Sequence, residues 1–225
     1  MGGMFVALEG PDCVGKTTQL AILKDRLEGL DGPVVVVHEP GGTPENQKIR
    51  QLIFDGFGKH QPVTEALLFL AAKAQLQAQV IRPALEARRV VLSDRYTDSL
   101  LAYQGVGQQL GISFLMNLVQ SAGLDLYPTF TIYLQAPFEV CMARLVERGR
   151  NGEEVNAIDN ASVDFHRRVH DGYQELVRQA IRSKKPHVVI NAWQDPSLVA
   201  QDIWNALVPE FRKREQTVRP VILRD

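Results

Sequence analysis

The chain has 225 residues, with 25 basic and 26 acidic side chains and a formal net charge of −1, so it can build one substantial core and carries no global field to attract nucleic acid or a membrane surface. Its two cysteines, Cys13 and Cys141, exclude a disulfide framework and suit a reducing cytosol. The first residues lack a basic segment followed by a long apolar stretch, and no apolar run approaches the ~20 residues of a membrane span, so the expectation is a soluble cytoplasmic protein.

Short β-branched apolar runs alternate with longer helical patterns. Strands are expected over 4–9, 34–38, 90–94, 130–135 and 188–191, and helices over 16–28, 45–54, 64–88, 113–121, 139–148, 162–182 and 197–211. Such alternation predicts right-handed βαβ units and an α/β fold in three layers, with a five-stranded parallel sheet covered on both faces. The unbroken apolar run 34–37 fits a strand buried on both sides. The helix at 64–88 is apolar or amide-rich nearly all round, which predicts burial against other elements or across a subunit contact. Residues 148–160 are polar, hold two glycines and read as a mobile lid. No boundary divides 1–212, and the charged segment 213–225 reads as a loosely ordered tail.

Directly after the first strand stand Gly10, Pro11, Asp12, Cys13, Val14, Gly15, Lys16, Thr17 and Thr18. This is the Gly-x-x-x-x-Gly-Lys-[Ser/Thr] pattern between a strand and a helix, a loop whose backbone N–H groups point at phosphate oxygens. Lys16 adds a positive charge for the β and γ phosphates, and the Thr17 hydroxyl is suited to Mg²⁺. The loop alone implies a bound nucleotide with Mg²⁺ and names no reaction. The third apolar run ends in Asp94, where a magnesium-supporting carboxylate belongs, and Arg95 follows with a forked donor suited to phosphate. His38-Glu39-Pro40-Gly41-Gly42-Thr43-Pro44 makes a rigid turn to which the residues by themselves assign no chemistry. Arg50 is suited equally to a phosphate and to solvent, and Phe69 by itself reads as a core residue. The five histidines read as structural or solvated.

Gly10 to Thr18, Glu39-Pro40-Gly41-Gly42-Thr43, Asp94-Arg95-Tyr96-Thr97-Asp98-Ser99, Ala102-Tyr103-Gln104-Gly105 and Phe165 to Tyr173 occur in this order along the chain. Together they resemble the thymidylate kinase family, a branch of the phosphate-loop nucleoside-monophosphate kinases, from residue 4 to about 211. The resemblance implies phosphorylation of dTMP to dTDP by ATP with Mg²⁺, a phosphate-loop NTPase-type fold and a homodimer. It places Asp12 near the acceptor and the metal, and Arg50 and Arg95 on the acceptor phosphate. Phe69 would stack on thymine, and Tyr103 would lie beside the deoxyribose and help exclude a 2′-hydroxyl. Glu39, Pro40, Lys73, Ser99, Leu100 and Gln104 complete the implied acceptor site; Lys16, Asp12, Arg95, Arg148 and Arg150 are the implied catalytic groups, and Thr17 with Asp94 the metal donors.

Three positions depart from the family pattern. Lys73 stands where an arginine usually reads the base, Leu100 where a Ser, Thr or Asn meets its edge, and Asn156-Ala157 where the lid usually carries an Asp-Arg pair. Cys13 occupies a loop position that some members fill with arginine, so the missing charge is expected from the lid. Lys73 and Leu100 keep open a related kinase with a different base choice, and the altered lid keeps open an ATP-binding module without transfer activity.

Overall fold

In the computed structural model, which describes residues 3–31, 33–152 and 155–218, five parallel strands form one sheet in the order β2-β3-β1-β4-β5. The strands are β1 (Met4–Glu9), β2 (Val35–His38), β3 (Val90–Asp94), β4 (Phe130–Gln135) and β5 (His187–Asn191). All six residues of the central β1 are buried, as a strand covered by helices on both faces requires. Its register aligns Leu8 with Asp94, and β2 aligns His38 with Asp94. The phosphate loop, the Glu39 loop and Arg95 therefore all leave the sheet at one carboxyl edge, where open α/β sheets bind ligands.

The helices are α1 (Lys16–Asp31), α2 (Pro44–Gly56), α3 (Pro62–Leu76), α4 (Arg82–Glu86), α5 (Thr97–Leu100), α6 (Ile112–Ser121), α7 (Phe138–Arg150), α8 (Val163–Arg182) and α9 (Pro196–Val218). One core cluster joins β1 and β4 to α1 and α9, with Leu8, Leu23, Leu27, Ile132, Leu134, Ile203 and Leu207 buried in it. Each fully buried Leu or Ile contributes about 1.5–3 kcal/mol. A second cluster, around Leu70, Leu101, Tyr103, Leu115, Phe165 and Val169, sits above the carboxyl edge and supports the site.

Four features differ from expectation. The strand at 34–38 is an edge strand and is not buried on both faces; Val37 is buried but Val36 is 39% exposed. The helix expected over 64–88 is interrupted by a π-helical turn, Gln77–Ile81, where the Arg82 N–H reaches back to the Gln77 carbonyl. Pro83 has no N–H and its ring crowds the preceding turn, and the wider turn relieves both. Residues 97–107, for which no element was expected, are helical: α5 continues into a π-helical segment, Leu101–Gly107. Its glycines suggest a loop, yet they permit close packing on α8: a Cβ on Gly107 would meet Phe165 and Val169 at 2.8 Å, and one on Gly172 would meet Val106 at 3.1 Å. Finally, α9 continues past 211 to Val218, so the first part of the expected tail is helical; residues 219–225 lie outside the described residues.

Candidate active site

The phosphate loop is held in shape by its own lysine. Lys16 is buried, and its Nζ donates to the carbonyls of Gly10 at 3.0 Å and Pro11 at 2.7 Å. Gly10, Cys13 and Gly15 all have positive φ, at 148°, 58° and 101°, so the peptide planes curl into a concave nest of N–H groups at the start of α1. Burial, followed by the nearby Arg95 charge, pushes the Lys16 ammonium down to about 8. The Thr17 hydroxyl donates to Asp94 Oδ2 at 2.9 Å, a pair of hard oxygen donors that fits Mg²⁺. Asp12, Cys13, Gly15, Lys16, Thr17, Thr18, Asp94, Arg95 and Arg148 all line the cleft above the loop. Gly10 and Pro11 act through the carbonyls that receive Lys16, and Val14 turns its side chain into the core, 1% exposed.

A second pocket adjoins this cleft. All ten residues expected at the acceptor site line it: Glu39, Pro40, Arg50, Phe69, Lys73, Arg95, Ser99, Leu100, Tyr103 and Gln104. The Glu39 turn is positioned by Thr43, which caps α2 by accepting from the Asn46 N–H, and by Asn46, whose Nδ2 donates to the carbonyls of Gly41 and Ala72 at 2.9 Å each. Arg50 donates to the Pro40 carbonyl at 2.8 Å and lies 4.4 Å over the Phe54 ring.

Lys73 is 1% exposed, donates to both Glu39 oxygens at 2.9 and 2.8 Å, and sits 3.5 Å over the Tyr96 ring. An ammonium has three donors, and this arrangement uses two of them on Glu39. Gln104 is fully buried, yet neither end of its amide has a hydrogen-bond partner. A native core rarely tolerates such a group without a ligand or water to satisfy it.

Arg95 is the hub between pocket and cleft. It takes a left-handed backbone conformation at φ 67°. Its Nη2 donates to Tyr103 OH at 3.0 Å and ion-pairs with Asp12, while Nη1 donates to the Gly10 carbonyl, Ser99 Oγ and Tyr173 OH. Burial favours a neutral Asp12, but Arg95 and Lys16 outweigh it and hold the carboxyl below its ordinary range. Its Oδ2 is buried without a partner.

The two lid arginines separate. Both belong to the last turn of α7, and two residues along a helix are about 200° apart around its axis. Arg148 lines the phosphate cleft and pairs with Asp159; Arg150 is exposed and lines neither pocket. Of the lid, 153–154 lie outside the described residues. Asn156 Oδ1 accepts from the N–H groups of Ile158 and Asp159 at 2.8 and 3.1 Å, so the Asn that replaces the usual Asp shapes the turn. The lid carboxylate that binds arginine is Asp159, two residues after Ala157.

Sequence reasoning did not place several lining residues: Phe54, Tyr96, Ile158 and Asp159 in the acceptor pocket, and Leu20, Val36, Val37 and His38 in the cleft; Asn156, singled out only as a lid position, also lines the acceptor pocket. Sequence reasoning also passed over Arg144, whose guanidinium reaches the carbonyls of Cys13 and Ala192. Only Arg144, three residues and about one turn before Glu147-Arg148, had a usable signal: a basic residue on the same helix face as Arg148. His38 is exposed at its edge of the sheet, and the partial burial of its ring with the nearby Arg50 lowers its pKa, so it adds no charge to the cleft near neutrality.

A family model described as thymidylate kinase matches residues 8–203. The chain belongs to the thymidylate kinase family. It is 41% identical over 210 residues to the thymidylate kinase of Thermomicrobium roseum, covering 93% of this chain and 96% of that one. It is 40% identical to the enzyme of that name from Limosilactobacillus fermentum, over 92% of this chain and 95% of the relative. Among solved structures, the thymidylate kinase of Ehrlichia chaffeensis superposes with a TM-score of 0.73 at 29% identity, covering 92% of this chain and 99% of that one.

Proposed function

We propose that this kinase transfers the γ-phosphoryl group of ATP to the 5′-phosphate of dTMP, giving dTDP, with Mg²⁺ held by Thr17 and Asp94. The observation that carries this reading is the shared wall of the two pockets: Asp12, Glu39, Arg50 and Arg95 line both. An acceptor in one pocket would therefore meet the terminal phosphate of a nucleotide on the loop. When bound, Mg²⁺ supplies charge neutralisation on the transferring phosphates.

The acceptor phosphate, with a second pKa near ~6, is largely dianionic near neutral pH and needs no dedicated general base. The protein's task is alignment and charge neutralisation. Lys16 serves the donor phosphates, Arg95 and Arg50 grip the acceptor phosphate, and Arg148 brings to the cleft the charge that Cys13 cannot. Asp12 fixes Arg95 and keeps Oδ2 available to a sugar hydroxyl. Tyr103, packed beside Arg95, leaves little room for a 2′-hydroxyl.

Base choice rests on Lys73 and Gln104. An ammonium can only donate, so it favours a carbonyl at the base edge over the amino group of cytosine. Gln104 can accept from an imide N–H and donate to the adjacent carbonyl, which compensates for Leu100. The test is an acceptor panel of dTMP, dUMP, UMP, dCMP, CMP, dGMP and AMP with ATP. The best kcat/KM is expected for dTMP, and a better acceptor in the panel would overturn the substrate assignment.

The same reading includes a cytoplasmic homodimer, supported by an apolar stripe on α3 at helical spacing in which Val63 and Leu67 are 41% and 51% exposed. Among the described residues no helix is long and apolar enough to cross a membrane. Light scattering after size exclusion should give a dimer at micromolar concentration, and Leu67→Glu a monomer.

A further inference from the structure

Glu9 ends β1, one residue before the phosphate loop, and none of the roles above uses it. Its side chain is enclosed, at 1% exposure. Oε1 accepts from the N–H groups of Tyr96 and Ser99 at 2.8 and 3.3 Å. Oε2 accepts from Ser99 Oγ at 2.7 Å and from the Tyr173 hydroxyl at 3.1 Å. Ser99 Oγ and Tyr173 OH lie 2.6 Å apart, and both accept from Arg95 Nη1, at 3.3 and 3.1 Å. Three oxygens thus form a triangle with Glu9 at one corner and the guanidinium facing the other two.

The positions of the protons follow from the donor inventory. A carboxylate only accepts, so it draws the Ser99 and Tyr173 protons toward itself or between them, and lone pairs of both hydroxyls face Arg95. The Arg95 backbone is strained, in the left-handed region at φ 67°, and such a conformation persists where the surrounding contacts over-determine it. We propose that Glu9 is a positioning residue for phosphoryl transfer, orienting the Arg95 guanidinium toward the acceptor phosphate through Ser99 and Tyr173. This rests on the reading of Arg95 as the grip on that phosphate.

The charged and titratable groups facing Glu9 are Asp98, Arg95, Lys16, Lys73, Tyr133 and Tyr173. Burial and then Asp98 push its carboxyl up to about 7, against Ser99 and Arg95. Protonation leaves the arrangement intact, since a third proton gives each edge of the triangle one hydrogen bond. Glutamine behaves differently: its amide brings two protons to the same corner, four in all for three contacts, and leaves one hydroxyl proton facing Arg95.

The test is steady-state kinetics of the full-length Glu9→Gln, Tyr173→Phe and double variants with ATP and dTMP, alongside Arg95→Ala. Glu9→Gln is expected to lower kcat about tenfold or more, with the KM for ATP within about twofold of the parent, because only the acceptor-side guanidinium is disturbed. Tyr173→Phe removes the conflicting proton, so the double variant should be no slower than the slower single variant. Wild-type kcat and acceptor KM in Glu9→Gln, or losses that multiply in the double variant, would overturn the proposal. Should Glu9→Gln fail to fold, Ser99→Ala cuts the same relay, and wild-type turnover there also overturns it. A near-normal Arg95→Ala would instead remove the underlying reading of Arg95; a crippled Arg95→Ala beside a normal Glu9→Gln would remove only this inference.

Discussion

The two ends of the cleft are built on different physical terms. At the phosphate end, Lys16 is anchored to loop carbonyls, Thr17 to Asp94, and Arg95 to several oxygens at once. Charge and backbone geometry over-determine each position before any ligand arrives, as electrostatic preorganisation requires. At the base end, Phe69, Leu100 and Ile158 give an apolar wall, and the polar groups set against it include the Glu39–Lys73 pair and the unpaired amide of Gln104. The first end holds its lysine, threonine and arginine in place without its ligand, leaving Asp12 Oδ2 and Arg148 Nε open, whereas the second leaves a whole amide open. Under the proposed reaction, the difference separates rate from selectivity.

The largest test of that division lies at the phosphate end. Lys16→Ala and Arg95→Ala should each lower turnover at least ~100-fold in a coupled ADP-release assay, by removing charge that the proposed reaction places on the reacting phosphates. Near-normal turnover in either variant would show that its charge is dispensable.

Next comes selectivity. Gln104→Leu should cut the preference for dTMP over dCMP, measured as the ratio of kcat/KM values, by about 1–3 kcal/mol. Thermal stability should hold or rise, because the substitution removes a buried unsatisfied amide. An unchanged ratio would mean that Lys73 alone sets base choice.

Arg148→Ala probes the link between the two ends. It removes the cation facing Cys13 and leaves Asp159, whose side chain is 3% exposed, unpaired. Turnover should fall about tenfold; with Arg148 27% exposed and partly screened, the stability loss should be only ~1–2 kcal/mol. A loss confined to stability would make Arg148 a strut for the lid.

The smallest effect is on pH dependence. Lys16 in the free protein is lowered to about 8, chiefly by burial, so its charge is present below that pH and lost above it. Accordingly kcat/KM for ATP should be level below about pH 8 and decline above it, while kcat holds to higher pH because bound phosphates raise the lysine again. Because the unfolded chain keeps this proton up to an ordinary lysine value near 10.5, the ligand-free protein should gain stability between about pH 8 and 10.5.

The sheet was legible because apolar β-branched runs between helical patterns leave few alternatives to a parallel α/β layer. The residues that line the second pocket were legible because Glu39-Pro40-Gly41-Gly42-Thr43 and Asp94-Arg95-Tyr96 resemble a family pattern; spacing alone left Phe69 in the core and Arg50 undecided. The edge position of β2 was hidden, since an exposed valine at 36 looks like a buried one. The helix at 97–107 was not expected, because Gly105 and Gly107 weaken a helical pattern in the sequence; in the fold Gly107 allows close contact with α8. The lid was read from two replaced residues, while Asp159 had no local signal of its pairing with Arg148.

Sequence by itself determined the local devices: the nest between Gly10 and Thr18, the rigid turn from His38 to Pro44, and the strand that ends on Asp94. These depend on neighbours along the chain, which the order of residues specifies directly. Tertiary structure decided which charges meet. It brought Glu9 under Arg95 through Ser99 and Tyr173, Glu39 onto Lys73, and Asp159 onto Arg148. It also turned Arg148 toward the cleft and Arg150 away. Such meetings depend on strand order and helix rotation across tens of residues, and a side chain's charge does not reveal its partner until the packed core has set both.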